Sequence, residues 1–299
     1  MKAIQFDSFG PPEVLQYRHL PQPEPGPGQV RIRVESASVN YSDTMRRRNL
    51  PYPFPTPLPF VPGGEVAGAV HALGPDVDGP PVGTPVFALA GPDGSTGYAQ
   101  YALAEAARVV PIPEGLGPDE ACGLVVAGGT AMLALTATAR LAPGESVLVE
   151  GAGGAVVDYT AHGWVEEVRE LTGGGADVVL HCSGAGLLPQ ALSCLAPFGR
   201  LVVTGLASGT PGALSPQEQS ALLYAPALGQ SVHGFNVGAF FGLRPDVAGQ
   251  ALGSLIGLVA QGTVKVPPRT MLPLSAAAVA HRDLEERTSV GKIVLEPWA

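Results

Sequence analysis

The stretch VLVEGAGGAVVDYTAHGWVEEV, residues 147–168, decides how this chain is read. VLVE is a buried strand by composition, and Gly151, Ala152, Gly153 and Gly154 form the tight turn that usually feeds a phosphate-binding helix. No helical pattern follows. AVVDY (155–159) comes directly after the glycines, and its valine pair and tyrosine read as a second strand. Adjacent parallel strands need a crossover of about a dozen residues or more, so VLVE and AVVDY cannot be such a pair. A bare sheet edge beside VLVE would invite other chains. The expectation is that AVVDY folds back as an antiparallel hairpin or covers that edge, or that a second chain covers it.

Downstream, apolar strands alternate with helices. GWVEEVRELTGGG reads as a helix with a glycine stop, DVVLHC (177–182) as a strand and GLLPQALSCLAPFG as a helix. RLVVTG (200–205) and QSVHGF (230–235) are further strands, and DVAGQALGSLIGLVAQG (246–262) is a long helix. Such alternation predicts a parallel sheet covered on both faces. Upstream, KAIQF, VRIRVESASV, EVAGAVHAL and TPVFAL are short β runs separated by Pro/Gly turns. A short helix at Ser42 to Arg48 starts behind Asn40, which has the chemistry of a cap. GPDEACGLVVAGGTAMLALTATARL is helical, and the tail returns to strand–helix–strand. Two domains follow: a β domain from 1–124 plus 264–299, and an α/β domain from 125–263.

With 299 residues, 45% hydrophobic and 14% charged, the chain is globular. A net charge of −9 argues against a nucleic-acid partner, whose phosphates need a basic face. The single basic cluster, Arg46–Arg48, reads as a solvated helix end. Cys122, Cys182 and Cys194 lack metal-site spacing and read as buried free thiols of a reducing compartment. MKAIQFDSFG has no signal-peptide core, and no run of about eighteen or more apolar residues is read, so no membrane span is expected. A cytoplasmic protein without a membrane partner is expected.

The order and spacing of several segments resemble the medium-chain dehydrogenase/reductase superfamily and, within it, the zinc-independent quinone oxidoreductases. These segments are MKAIQFDSFGPPEVLQ, VNYSD (39–43), PGGEVAGAV (62–70), GYAQY (97–101), VAGGTAMLAL (126–135), PGESVLVEGAGG (143–154), GADVVLHCSG (175–184), FGRLVVTG (198–205) and GKIVLEP (291–297). The resemblance implies an α/β protein with a GroES-like β domain and a Rossmann-type doubly wound parallel sheet, here truncated. It also implies NADPH as hydride donor, an apolar quinone or α,β-unsaturated carbonyl as substrate, and a homodimer joined near Gln230 to Phe235. Zinc-dependent relatives place a cysteine where Asn40 stands and a histidine where Gly64 stands, so no metal is expected. By the same resemblance Asn40, Tyr41 and Tyr52 line the substrate pocket, and Thr130 touches cofactor or substrate. Ser183, Gly205, Leu206, Phe235, Val237 and Lys292 border the nicotinamide and its ribose.

Against this family the glycine loop is short. A βαβ unit takes about 30 residues, with the ribose-reading acid about 20 after the glycines. Here that span is missing, and with it the helix N-terminus whose N–H groups hold a diphosphate. Gly151, Gly153, Gly154 and Tyr159 are what remain of the phosphate and ribose side. Three readings stay open: a reductase that binds NADPH weakly, a non-redox ligand-binding or isomerase-type protein on the same scaffold, and an ordinary reductase sequence that has lost a segment.

Overall fold

The computed structural model describes residues 1–151, 157–184, 186–207, 209–224 and 228–299. The chain forms two compact units, Met1–Gly129 with Leu252–Ala299, and Thr130–Ala251.

The first unit is built on a mixed sheet around the strand Gln29–Ser38. That strand pairs antiparallel with Glu65–Leu73 on one side and with Tyr101–Glu105 and Lys292–Glu296 on the other. Its alternate residues Val30, Ile32 and Val34 are fully buried in a core with Phe6, Val66, Val70 and Leu295, worth roughly 1.5–3 kcal/mol for each large side chain. The tail Arg269–Pro273 joins Lys292–Glu296 in parallel through the helix Ala277–Glu285, the strand–helix–strand read from sequence.

The helix Tyr41–Arg47 starts behind Asn40, whose backbone is extended. Its arginines overturn one expectation. Arg46 is 1% and Arg47 0% exposed, and only Arg48 reaches solvent. Arg46 donates to the Asp93 carboxylate at 2.7 Å and the Pro55 carbonyl at 2.8 Å, and lies over the Phe60 ring. Arg47 donates to the Gly10 carbonyl at 2.6 Å and to Glu285. A guanidinium tolerates burial when its fork of donors is met.

The second unit carries an all-parallel sheet in the order Ser231–Gly234, Leu195–Val203, Ala176–His181, Val147–Val149. Val179 and Leu201 point into one core with Trp164 and Ala191, whereas Val178 and Val202 point into another with Ala134 and Ala139. Burial on both faces is why the two central strands read as continuous apolar runs; VLVE, expected to be buried, is only partly covered, with Val149 48% exposed. Among the described residues these four strands lie in chain order, and none pairs beyond Val147–Val149. In AVVDY, Ala155 and Val156 lie outside the described residues. Val157, Asp158 and Tyr159 form bend and turn, not the expected strand, and Val157 and Tyr159 pack on the Trp164 core. Helices Pro216–Tyr224 and Val237–Leu243 were not foreseen.

The helical run Pro118–Thr138, with hydropathy 1.7, has the length and composition of a membrane span. Small residues interrupt its apolar sequence; Ala121, Cys122, Leu124, Val125, Leu133 and Ala134 are buried, and 39% of its apolar window lies inside the fold.

Candidate functional site

In the first unit, folding brings Asn40 and Lys292 together across 252 residues of sequence. Lys292 Nζ donates to Asn40 Oδ1 at 2.6 Å, and Asn40 Nδ2 donates to Glu65 Oε2 at 2.8 Å. An ammonium can only donate and a carboxylate accepts, so the amide has one allowed orientation. Glu65 is 0% exposed and sits 3.4 Å from Lys292 Nζ. Its oxygens also accept from the Ser38 hydroxyl at 2.6 Å and from the Val126 N–H. Val126 lies in the π-helical turn Leu124–Gly128, where the altered winding accompanies an N–H bond to a side chain.

Asp43 sits one turn into the same helix, 2% exposed. Its carboxylate accepts from Asn40 N at 2.9 Å, Tyr98 Oη at 3.1 Å and Gly63 N at 3.3 Å. Gly63 adopts φ +101°, and a Cβ there would lie 2.3 Å from the Tyr98 ring, so only glycine offers its N–H here. Burial pushes the Asp43 carboxyl up to about 6, against these three bonds and the Lys292 charge. Behind Tyr98 lies His281, held neutral down to about 3 by burial and then by the Arg47 charge.

Tyr41 is the first residue of the helix and partly buried. Tyr52 is half-buried against Phe54 and under the Arg46 guanidinium, and burial raises its hydroxyl pKa. Thr130, in the second unit, lies between the π segments Leu124–Gly128 and Leu133–Thr138.

Most cofactor candidates of the second unit gather at the carboxyl ends of its parallel strands, where open α/β sheets bind ligands. Ser183 N and Cys182 N donate to Glu150 Oε2 at 3.2 and 3.3 Å. Glu150 Oε1 lies 2.8 Å from His181 Nδ1, and His181 Nε2 accepts from Gly184 N at 3.3 Å. The proton therefore sits on Nδ1. Gly151 and Gly205 both pack on Cys182; Leu206 follows Gly205, and the Phe235 N–H continues the sheet to Val203. Val237 opens the helix capped by Asn236. Tyr159 is elsewhere, lining a cavity of about 450 Å³ with Trp164 and Gln190. Gly153 and Gly154 lie outside the described residues.

Glu65, Asp43, Tyr98, His281, Glu150 and His181 were not singled out from sequence. The Asn-x-x-Asp spacing at 40–43 is a capping signal that points to Asp43. VLVE and DVVLHC each run apolar residues into a polar strand end, a signal for Glu150 and His181. Tyr98 and His281 lie 55 and 183 residues from their partners and left no local mark.

Residues 26–114 match the alcohol dehydrogenase GroES-like domain, and residues 152–295 match the zinc-binding dehydrogenase family. Among the described residues no group of three or more His, Cys, Asp or Glu is placed to hold a metal. The chain is 30% identical to a quinone oxidoreductase of Pseudomonas aeruginosa, covering 99% of each. It is 29% identical to a 2-haloacrylate reductase of a Burkholderia species over 81% of this chain and 82% of that one. A mycobacterial structure in complex with NADPH superimposes with TM-score 0.84 at 29% identity, over 99% of this chain and 100% of that one. A Pseudomonas syringae quinone oxidoreductase does so with TM-score 0.85 at 26% identity, over 99% of both. With a GroES-like β unit, a Rossmann-type parallel sheet and full-length likeness to a quinone oxidoreductase, the chain belongs to the quinone oxidoreductase-like proteins of the medium-chain dehydrogenase/reductase superfamily.

Proposed function

We propose that this protein reduces an apolar quinone or another α,β-unsaturated carbonyl with NADPH, without metal, and that it binds the diphosphate of the cofactor weakly. The Asn40 amide carries the reading. Lys292 holds its oxygen, Glu65 takes one N–H, and the second N–H has no partner among the described residues. A fixed donor of this kind suits a carbonyl oxygen that gains negative charge during reduction. Tyr41 and Tyr52 would line the substrate side, and Thr130 the cofactor or substrate.

The residues fit the two ends of the cofactor unequally. The strand-end turns at Ser183, Gly205 and Leu206 suit a nicotinamide riboside, and the cofactor supplies the hydride when bound. The diphosphate end is opposed by Glu150, whose carboxylate already takes the N–H groups of Cys182 and Ser183. A shorter chain than its relatives is supported by the likeness to the Pseudomonas aeruginosa protein, which runs over 338 positions for a chain of 299 residues. The same occupied amides favour a second reading, a ligand-binding or isomerase-type protein that uses no nucleotide. A homodimer along Ser231–Gly234 belongs to the first reading and is checked by light scattering.

NADPH fluorescence titration, paired with quinone-dependent NADPH oxidation, separates the two readings. Saturation in the micromolar range with turnover supports the reductase. No saturation at millimolar NADPH sinks it and leaves the second reading.

A further inference from the structure

The groups behind Asn40 form a chain in which each hydrogen bond has only one possible direction. Arg47 Nε donates to His281 Nδ1 at 3.3 Å. A guanidinium cannot accept, so Nδ1 is the acceptor and the ring proton sits on Nε2. Nε2 lies 3.3 Å from Tyr98 Oη, which therefore receives that proton's bond and gives its own hydrogen to Asp43 Oδ2 at 3.1 Å. The Asp43 carboxylate ends the chain and also takes Asn40 N and Gly63 N.

We propose that Asp43 is a positioning residue for Asn40, fixing its backbone and that of Gly63 through a one-directional hydrogen-bond chain anchored at Arg47. This inference rests on the reading of Asn40 as the donor to the substrate carbonyl. The Asn40 side chain reaches Glu65 and Lys292 from a backbone that Asp43 holds by the N–H. Protonation of Asp43 removes the charge that strengthens its three bonds and turns one oxygen into a donor, and the grip on Asn40 loosens.

The titratable groups facing Asp43 are Tyr98, Lys292 on the last strand, and Tyr52 from the proline-rich loop, with His281 behind Tyr98 and Glu65 acting on Tyr98. Lys292 and the Tyr98 bond favour the ionised carboxylate, while burial opposes it and prevails, so Asp43 takes up its proton near pH 6. His281 stays neutral down to about 3.

The test has two arms on the full-length protein. In the first, the Asn40 and Gly63 backbone amides are followed by NMR as pH is lowered; both shifts are expected to share a midpoint near 6. Tyr98→Phe removes a bond to the ionised form and should move that midpoint up by roughly one unit. His281→Gln, whose amide can accept from Arg47 and donate to Tyr98, should keep it. In the second arm, NADPH-dependent quinone turnover should lose kcat rather than KM through the same midpoint, shifted equally in Tyr98→Phe. Should Tyr98→Phe fail to fold, Asp43→Asn must abolish the titration in both arms. Amides that do not titrate there, or an unmoved midpoint in Tyr98→Phe, overturn the inference. So does a turnover profile that ignores a titrating Asn40. Titrating amides in a protein without any NADPH turnover uphold the hold on Asn40 and refute the reductase reading instead.

Discussion

Glu65 in the first unit and Glu150 in the second are both buried carboxylates, satisfied by different chemistry. Glu65 meets a lysine, an amide, a hydroxyl and a backbone N–H, and through them it orients a side chain that keeps a donor to offer. Glu150 meets an imidazole and two backbone N–H groups at a strand end. In the proposed reading the first arrangement prepares a site and the second closes one. Under the proposed function these two carboxylates take opposite roles, one supporting a carbonyl-binding corner and the other disfavouring a phosphate at the strand ends.

Lys292→Met tests the contrast most severely. It strands Glu65 in a dry interior and should cost about 3–5 kcal/mol by urea unfolding. His181→Ala leaves Glu150 with its two N–H donors and should cost about 1–3 kcal/mol. Equal losses would erase the distinction between the two carboxylates. Next comes Asn40→Ala, for which kcat of quinone reduction should drop about 10²–10³-fold with a much smaller change in KM; unchanged turnover would remove Asn40 from the reaction. Glu150→Gln should tighten NADPH binding by about fivefold, roughly 1 kcal/mol, by deleting a negative charge near the strand ends. Weaker binding in a fluorescence titration would mean that Glu150 supports the cofactor.

The smallest effect lies in the Arg200–Glu145 pair, bidentate at 2.7 and 2.8 Å. The hydrogen bond from Arg200, then that from Ala142, lowers the Glu145 carboxyl from 4.5 to about 2. Its folded value lies below the unfolded one, so its stabilisation is present above 4.5 and lost as pH falls toward 2. Glu145→Gln should flatten acid unfolding in that window, and an unaltered profile would show the pair to be passive.

Much of the fold was legible because local patterns report local burial. DVVLHC and RLVVTG read as doubly covered strands because both their faces are buried, whereas VLVE, read the same way, leaves Val149 48% exposed at the end of the described sheet. The helix at Tyr41–Arg47 was legible from its cap. The Arg46–Arg48 run misled because charge in sequence signals solvent, whereas Asp93, Gly10 and Glu285 lie 47, 37 and 238 residues away and only the folded chain supplies them. The described end of AVVDY, Val157 to Tyr159, misled for a related reason: β-branched and aromatic residues fit any half-buried surface, and here they pack on the Trp164 core.

By itself the sequence determined the kinds of elements, the β and α/β character of the two regions, and the short count of residues after Glu150. Those follow from side-chain periodicity and chain length, which are written along the polymer. Only the tertiary structure decided which polar groups meet: that Lys292 orients Asn40, that Arg47 polarises a chain ending at Asp43, and that Glu150 fills the amides of its neighbouring strand. A hydrogen bond depends on distance and direction to within a few tenths of an ångström, and separation along the chain carries no such information.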